Sequence, residues 1–425
     1  MPRTRSRTNC SNLSCSKRAR APLEGPVEVK ADVSVVESMG EGYGPRLGQT
    51  VPMRIVLVVP GGVDPPGSDH VIPFIHGLVS DLSSRHDVLV IAVGHGPEPG
   101  TWPLFGATVV NVPVGNHSKA DVARVVRTVN RVSAQGGRPD VVHGLWANLP
   151  GLAASIAAHR HRRPSVVSVC GGEFAALADI AYGGGLSRGT LLMARASTRS
   201  ASAVTVATTW MKNHVKDRGG RVDEVIPLGA DTSIFEGSDT PSVPDRLVHV
   251  GNINRVKDQA TLLHAFQLVL HSCSQATLDI AGLDTLDGQM QALAVRLGID
   301  QNVRLRGYLQ PHQLASMLSD ASLHVITSRH DAGPVAVLEA AACGIPTVGT
   351  SVGHVADFAQ MAHPAAVAVT GHQPQPLADG IVSLLSDEPR RRALARRAQE
   401  WAVAHDSVHT SNSFEALYRR LIASR

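Results

Sequence analysis

The chain of 425 residues contains only five cysteines, and none of them forms a C-x-x-C pair. Neither a disulfide framework nor a zinc site is therefore indicated, which favours a reducing compartment. No stretch approaches the run of about 18 apolar residues from which a membrane-spanning helix is built. The N-terminus lacks the apolar segment of a secretory signal peptide. These absences predict a cytoplasmic protein without a transmembrane span.

An excess of positive charge is found only in the first twenty positions. The formal net charge of +4 depends on six basic residues in that segment, which has no acids. They are Arg3, Arg5, Arg7, Lys17, Arg18 and Arg20. Taking these six from the 40 basic residues leaves 34 against 36 acids, a balance of −2. A nearly neutral body lacks the basic footprint of a nucleic-acid-binding protein, so we expect no nucleic-acid partner.

Strand and helix patterns begin only after the N-terminal segment. Residues 1–52 show neither helical nor strand periodicity, and we interpret them as a disordered basic tail or a mis-assigned start. From Arg54 onward, short β-branched runs alternate with amphipathic stretches, a pattern typical of a parallel sheet covered on both faces. The strand candidates of this first series are 54–59, 87–93, 108–112, 140–143, 165–169, 203–207 and 222–226.

A second series of strands and helices follows a stretch rich in Ser, Pro, Gly and Asp, 237–245, which predicts a linker. Its helix candidates are 257–271, 286–297, 311–319 and 335–343. We predict an α/β protein with a first domain at 53–236 and a second at 246–385. The terminal helices, 386–425, are expected to cross back to the first domain. Two doubly wound Rossmann-like domains would form a cleft at the carboxyl ends of their strands.

The segment from Ser328 to Gly353, SRHDAGPVAVLEAAACGIPTVGTSVG, carries the most specific pattern. Asp331 and Glu339 lie eight positions apart around a Gly-Pro step, followed by a helix of small residues. A strand, a glycine-containing loop and a helix N-terminus favour phosphate binding, because free N–H groups and the helix dipole point at the ligand. Glu339, about one turn into the helix, would accept hydrogen bonds from hydroxyls. The pattern predicts a nucleotide-sugar site.

This segment resembles the donor-binding motif of retaining glycosyltransferase family 4, whose members have the two-domain GT-B fold. The matching residues are Ser328, Arg329, Glu339, Ala340, Cys343, Gly344 and Pro346. Asp331 stands where a glutamate is usual, and Pro334 occupies a turn position that is often glycine. Proline has no N–H, so one phosphate donor is lost there. The resemblance implies a catalytic role for Asp331 and donor contacts from Ala332, Gly333, Pro334, Val335 and Glu339.

The entry to the second domain, VGNINRVKDQATLLHAF, resembles the donor-phosphate segment of the same family. There a glycine is followed by an arginine and then by a lysine. Gly251 and Lys257 match, Asn252 replaces the arginine, and Arg255 is expected to supply the missing cation. The resemblance implies that Lys257 stabilises the diphosphate as its charge develops. The chain lacks a D-x-D motif, as expected of a family that needs neither a metal nor another cofactor.

Two strand ends in the first domain supply further candidates. Gly61 and Gly62, in PGGVDPPGSDH, resemble the family's glycine-rich loop that faces donor and acceptor. His143 matches a family histidine at the end of a strand and is a catalytic candidate. A histidine at such a position is also often structural, so both interpretations stay open.

The segment VSVCGGEF supplies the predicted acceptor-side loop. Cys170 stands where many relatives carry a histidine near the reacting sugar carbon. Gly171 and Gly172 would present backbone N–H groups to the cleft. Glu173 would accept a hydrogen bond from an acceptor hydroxyl and is counted with the catalytic candidates. A turn that ends in a surface glutamate is the alternative.

The sequence thus predicts a retaining glycosyltransferase that moves a sugar from a nucleoside-diphosphate sugar to a hydroxyl of a glycan, a lipid-linked sugar or a small metabolite. Contact with the inner membrane face is compatible with this prediction. Another GT-B enzyme, such as a nucleotide-sugar epimerase or a glycan phosphorylase, is one alternative, although no lysine follows Lys257 to hold a phosphorylase cofactor. A sugar-nucleotide-binding protein without turnover is the other, because of Asn252, Cys170 and Pro334.

Overall fold

The computed structural model describes residues 51–65, 68, 71–115, 118–237 and 242–425. The predicted tail therefore lies outside the described residues except for Val51 and Pro52, and the predicted linker lies outside them at 238–241. In the described part, strands and helices form two α/β halves, each built on its own sheet.

The described residues of the first half form a sheet of eight strands. These are β1 (Arg54–Val59), β2 (Asp87–Val93), β3 (Gly100–Leu104), β4 (Ala107–Val112), β5 (Val141–Leu145), β6 (Ser165–Val169), β7 (Ala203–Val206) and β8 (Glu224–Val225). Their order is β3-β4-β2-β1-β5-β6-β7-β8, and every pair is parallel except β3 with β4. Every residue of β1 after Arg54 is buried, because helices cover both faces of the sheet.

The helices of the first half form where the local sequence favours them. They are α1 (Pro73–Ser83), α2 (Lys119–Gly136), α3 (Leu149–His161), α4 (Arg188–Ser200) and α5 (Thr209–Asp217). The α2 helix, for example, begins with a capping box, in which the Ser118 hydroxyl accepts from the Asp121 N–H and the Asp121 carboxylate accepts from the Ser118 N–H. Four valines at helical spacing then pack into the core, namely Val122, Val125, Val126 and Val129.

The second half has a sheet of six strands in the described residues. Its strands are β9 (Arg246–Val250), β10 (Thr277–Ala281), β11 (Val303–Gly307), β12 (Leu323–Ile326), β13 (Thr347–Thr350) and β14 (Ala366–Val369). Its first helices are α6 (Gln259–Ser272), α7 (Gln289–Leu297), α8 (Pro311–Ser319), α9 (Val335–Ala342), α10 (Gly353–Ala359) and α11 (Pro374–Ser386). The parallel order β11-β10-β9-β12-β13-β14 reverses direction between β9 and β12, where such sheets bind ligands. The predicted α/β class with two parallel sheets is confirmed.

The last two helices, α12 (Glu388–Ala404) and α13 (Ser407–Ala423), go to different halves. The α12 helix packs on α9, and Trp401 meets Phe358 with ring centroids 5.0 Å apart. Only α13 enters the first-half core, through Phe414, Leu417 and Tyr418. The expectation that the whole of 386–425 crosses back is therefore wrong for α12.

Other differences from the sequence prediction are local. The edge strand β3 pairs antiparallel with β4 and was not predicted. The predicted strand 222–226 shrinks to Glu224–Val225 at the opposite edge, where one neighbour is missing. The predicted helix 257–271 begins at Gln259 because Asp258 is its N-cap and accepts from the Thr261 N–H at 3.3 Å.

Candidate functional site

The carboxyl ends of β9 and β12 bring the two parts of the predicted donor site together. Lys257 follows β9, Asp331 follows β12, and the Lys257 Nζ lies 2.5 Å from the Asp331 Oδ2. The Ser328 hydroxyl donates to the same oxygen at 3.5 Å. The Arg329 N–H donates to the Val256 carbonyl at 2.8 Å, which joins the backbones of the two loops. The ammonium group is thus held in place by two neighbouring elements.

Glu339 on α9 lines the same cavity as Lys257, a space of about 360 Å³. Its side chain is buried, with 6% of the residue exposed, and burial raises its pKa to about 7. Within the described residues, no side chain or backbone group donates a hydrogen bond to this carboxylate. A ligand in the cavity would therefore find an acceptor with free oxygens, and a buried acceptor without a partner is costly.

Residues that sequence reasoning missed complete this cavity. Tyr308 and Leu309 come directly after β11, and Pro311 and Leu314 belong to α8. They add an apolar wall to the polar side formed by Lys257. The run that carries them, LRGYLQPHQL, follows a strand and precedes a helix, which was the available signal. Ligands bind at the carboxyl ends of parallel strands, so a run that follows such a strand lies at the site.

The residues around Lys257 differ in their relation to the cavity. Gly251, Asn252 and Lys257 line it. The Asn252 Oδ1 accepts a hydrogen bond from the Leu283 N–H at 3.0 Å, so this side chain joins two loops. Arg255 is exposed and does not line the cavity. This position argues against the expectation that Arg255 replaces the missing arginine.

The turn before α9 also touches the first half. The Thr208 hydroxyl donates to the Ala332 carbonyl at 2.7 Å. A Cβ atom on Gly333 would lie 2.5 Å from the Ala207 Cβ, so only glycine allows this close approach. This contact places the turn against the end of β7.

The start of α9 lines a second cavity, of about 330 Å³. Pro334 is the N-cap residue of this helix, and its missing N–H falls where helices leave such groups unpaired. Val335 and Glu339 line the cavity from α9, while Phe74 and His76 line it from α1. Glu339 therefore faces both cavities from one position.

The Glu173 carboxylate organises the predicted acceptor-side loop instead of standing free. Its Oε1 accepts from the Ala147 N–H at 2.9 Å and the Cys170 N–H at 3.3 Å, and its Oε2 accepts from the Gly171 N–H at 2.7 Å. Burial raises the pKa of Glu173, which these backbone hydrogen bonds oppose. These hydrogen bonds position the loops after β5 and β6. Glu173 also lines a cavity of the first half, and the expectation that it receives an acceptor hydroxyl stays a prediction.

The same loops border a third cavity, of about 350 Å³, at the first-half side of the cleft. Trp146, Gly172 and Tyr182 line it. A Cβ atom on Gly172 would lie 2.6 Å from the Tyr182 hydroxyl oxygen, so a side chain at this position would displace the Tyr182 ring. The ring centroid of Tyr182 lies 6.0 Å from that of His330, next to Asp331. The cavity therefore adjoins the donor side.

His143 belongs to the core, which corrects its assignment as a catalytic candidate. It is fully buried, its Nδ1 lies 2.6 Å from the Tyr418 hydroxyl, and its Nε2 lies 2.8 Å from the Ser168 hydroxyl. Burial lowers the pKa of His143 to about 3, so the ring is neutral at pH 7. Burial also raises the pKa of the nearby Cys170 thiol, which stays protonated. Neither group is poised as a base.

The glycine-rich loop after β1 makes a contact between a carboxylate and a histidine that the sequence did not reveal. The Gly62 carbonyl accepts from the Ile72 N–H at 3.0 Å, and Gly61 packs near His95. The His95 Nε2 lies 2.7 Å from the Asp64 Oδ1. His95 follows β2, so two strand ends of the first half meet in this pair.

Polar contacts join the two halves along one side of the cleft. The Asp357 carboxylate accepts from two N–H groups at the start of α5, at 2.7 and 2.9 Å. Arg329 forms an ion pair with Asp179. The His330 Nε2 lies 3.2 Å from the Gly171 carbonyl. The donor-side loop and the acceptor-side loop are thus in direct contact.

Two negative findings apply to the described ranges alone. No group of three or more His, Cys, Asp and Glu side chains there is arranged to hold a metal ion. No helix in the part of the chain that the structure describes has the length and apolar character needed to cross a bilayer. The expectation of metal independence remains a prediction.

Two parallel α/β sheets with a cleft at their strand ends define the GT-B architecture, and solved structures agree. A sucrose-phosphate synthase from Thermosynechococcus elongatus matches with a TM-score of 0.74 at 18% identity, over 88% of this chain and all of that one (100%). The Anabaena HepE protein in complex with UDP-glucose matches with a TM-score of 0.65 at 20% identity, over 87% of this chain and 100% of that one. These likenesses confirm the predicted fold.

Sequence comparison identifies the family. The profile of glycosyl transferases group 1 matches residues 231–401, and that of the glycosyl transferase 4-like domain matches residues 71–229. A D-inositol 3-phosphate glycosyltransferase 1 from Catenulispora acidiphila is 26% identical over 408 residues, which cover 86% of this chain and 93% of that protein. The chain belongs to the family 4-type glycosyltransferases and is a sugar-transferring enzyme, as predicted.

Proposed function

We propose that this enzyme transfers a sugar from a UDP-sugar to a hydroxyl acceptor with retention of configuration. The observation that carries the proposal is the shared cavity, in which a cation, Lys257, and an unpaired buried carboxylate, Glu339, face one space. A diphosphate and a ribose need those two kinds of group. The choice of UDP is supported by HepE, which has the same fold and was solved with UDP-glucose.

Each group has a proposed task in the transfer. The Lys257 ammonium group moves partly away from the Asp331 carboxylate and contacts the diphosphate oxygens. The negative charge on those oxygens grows as the sugar departs, and the ammonium group stabilises it. Glu339 accepts hydrogen bonds from the ribose hydroxyls, and the base lies against Tyr308 and Leu309. The acceptor oxygen bonds to the anomeric carbon, the bond to the diphosphate oxygen breaks, and the hydroxyl proton passes to the departing diphosphate.

A binding protein without turnover is the second candidate. It is favoured by Asn252, which replaces the family arginine and is engaged with the Leu283 N–H. Only one cation, Lys257, is then left among the residues that line the donor cavity. The loss of one cation lowers the stabilisation of the leaving group, and turnover decides between the two candidates.

The test is the release of UDP from UDP-glucose without an acceptor, compared with GDP-mannose and ADP-glucose. An active transferase passes the sugar slowly to water, so we expect UDP release that depends on the enzyme and falls by about 10-fold or more in Lys257→Ala. Binding of UDP without release from any UDP-sugar would favour the binding protein. No binding of any of these nucleotides would contradict both candidates.

The acceptor is proposed as a hydroxyl of a glycan, a lipid-linked sugar or a small metabolite. The name of the Catenulispora relative, a D-inositol 3-phosphate glycosyltransferase, supports an acceptor that carries a phosphate group. We propose that the reaction takes place in the cytoplasm, with peripheral contact to the inner membrane face when the acceptor is lipid-linked.

A further inference from the structure

A groove of about 710 Å³ lies on the first half, between α2, α3 and α4. It is about twice as large as each of the three cavities at the cleft. Its walls are mostly apolar, and they include Val122, Leu152, Ile156, Leu192, Met193 and Ala196. Of these helices, α3 packs on β5 and β6, and both α2 and α4 pack on α3.

The α4 side of this groove exposes apolar surface. Leu192 is 65% exposed although its helix neighbours Ala194 and Ser197 are buried, so α4 presents apolar atoms on a second face. Leu186, just before the same helix, is 44% exposed. An apolar surface at the wall of a concave groove is a common feature of ligand sites.

The groove adjoins the acceptor side of the cleft and shares two lining residues with it. Thr190 and Met193 line both the groove and the cavity bounded by Trp146, Gly172 and Tyr182. The Thr190 hydroxyl donates to the Ser187 carbonyl at 3.0 Å, which fixes the turn at this junction. A single ligand can therefore occupy both spaces, one part at the cleft and the other on the surface.

The charge of the groove is positive. Lys119 and Arg160 line it, and none of its lining residues is acidic. Both cations are exposed. An apolar trough with two cations suits a hydrocarbon chain that carries an anionic group, because the chain is removed from water while the anion finds counter-charges.

We propose that this groove binds the hydrocarbon chain of an amphiphilic, phosphate-bearing acceptor whose hydroxyl head enters the cavity beside Gly172. The inference rests on the proposed function and selects one of the acceptor classes left open there. A small polyol phosphate would fill the cleft cavity alone and would leave the groove empty. The chain in the groove instead anchors the acceptor at Thr190 and Met193 and directs its head towards the donor.

The test measures binding of dodecyl phosphate, below its critical micelle concentration, by calorimetry on the full chain. The variants are Leu192→Glu and a matched control, Val295→Glu, which changes another exposed apolar residue (56%) on α7 of the other half. We expect Leu192→Glu to weaken dodecyl phosphate binding about tenfold or more, because it places a charge against the chain. Val295→Glu should bind as the wild type does, and inorganic phosphate should not compete.

Several outcomes would overturn the inference. Equal binding by Leu192→Glu and the wild type would place the chain elsewhere. Competition by inorganic phosphate would mean that the anion alone is recognised. Loss of binding to phosphatidylglycerol vesicles without loss of dodecyl phosphate binding would make the groove a membrane contact, and a dimer broken by Leu192→Glu would make it a subunit contact.

UDP titrated into the same samples separates this inference from the proposed function. Leu192 lies outside the donor cavity, so all three proteins should bind UDP alike. Failure of the wild type to bind UDP would contradict the proposed function. Normal UDP binding together with unchanged dodecyl phosphate binding in Leu192→Glu would contradict only the acceptor class.

Discussion

At the scale of single residues, Glu339 has the most informative environment. Its folded pKa of about 7 lies above its ordinary value of 4.5. As pH rises from 4.5 to 7, the unfolded chain loses this proton first, so ionisation lowers the stability of the fold by about 3 kcal/mol in total. This contribution of Glu339 to the stability of the fold is fully present below pH 4.5 and is lost as the pH rises through 7. We attribute the presence of this destabilising buried carboxylate to its role in binding a ligand.

Glu339→Gln should therefore change stability in a pH-dependent way. The amide has no proton to lose, so the melting temperature of the variant relative to the wild type should be higher at pH 8 than at pH 5. Thermal unfolding of both proteins across this range checks the prediction. Parallel curves would show that the carboxylate is not held in a low-dielectric site.

Lys257 should matter far more than its neighbour Arg255. A charge-assisted hydrogen bond to the diphosphate is worth about 1.5–3 kcal/mol, so Lys257→Ala should lower kcat/KM by about 10- to 150-fold. Arg255 is exposed and outside the cavity, so Arg255→Ala should cost less than about threefold. Steady-state kinetics with UDP-sugar decide this, and equal losses in both variants would mean that Arg255 reaches the donor.

The sequence predicted the position of a residue in the fold best where that residue belongs to a linear motif. Lys257 and Glu339 are placed by the strand and helix that flank them. The environments of His143 and Glu173 were not predictable, because they depend on distant partners. His143 meets Tyr418 across 275 positions, and Glu173 meets a loop 26 positions away. No local pattern encodes such pairs.

At the scale of secondary-structure elements, α13 completes the hydrophobic core of the first half. Phe414, Leu417 and Tyr418 are buried in the first-half core, although their helix follows the second half in the chain. The Tyr418 hydroxyl also satisfies the buried His143 ring. The helix thus closes a core that is otherwise formed by residues before position 229.

Tyr418→Phe should destabilise the protein without changing nucleotide binding. The variant leaves the Nδ1 of His143 without a partner in the core, which costs about 1–3 kcal/mol. Val408→Ala changes an exposed residue (50%) of the same helix and should stay within about 0.5 kcal/mol of the wild type. Urea unfolding with UDP titration is the measurement. A parallel loss of UDP affinity in Tyr418→Phe would give this helix a role at the site.

Elements with dense β-branched runs were predicted well, whereas the alanine-containing strand β14 and the edge strand β3 were not. All five residues of β1 after Arg54 are buried, so the run RIVLVV has few alternatives. The strand β14 reads AVAV, a composition equally suited to a helix, and only its pairing with β13 decides its state. Edge strands such as β3 have a single neighbour and leave a weak pattern.

At the scale of the whole described molecule, the contact between the halves lies beside the catalytic cleft. Asp357 from α10 accepts two hydrogen bonds from the start of α5, and burial raises its pKa. Asp357→Ala should loosen this contact, so the rate of sugar transfer should fall while UDP affinity stays within about threefold. Asp379→Ala, on the exposed side of α11, is the control. Unchanged transfer in Asp357→Ala would show that the contact is dispensable.

The most direct test of the account is calorimetric titration of UDP and of inorganic diphosphate at pH 8, where Glu339 is ionised. Lys257→Ala should weaken both ligands, because both carry the diphosphate. Glu339→Gln should weaken UDP about tenfold or more and leave inorganic diphosphate nearly unchanged, since the latter has no hydroxyls for the carboxylate to hold. If Glu339→Gln binds UDP as tightly as the wild type, the cavity at Lys257 and Glu339 is not the donor site.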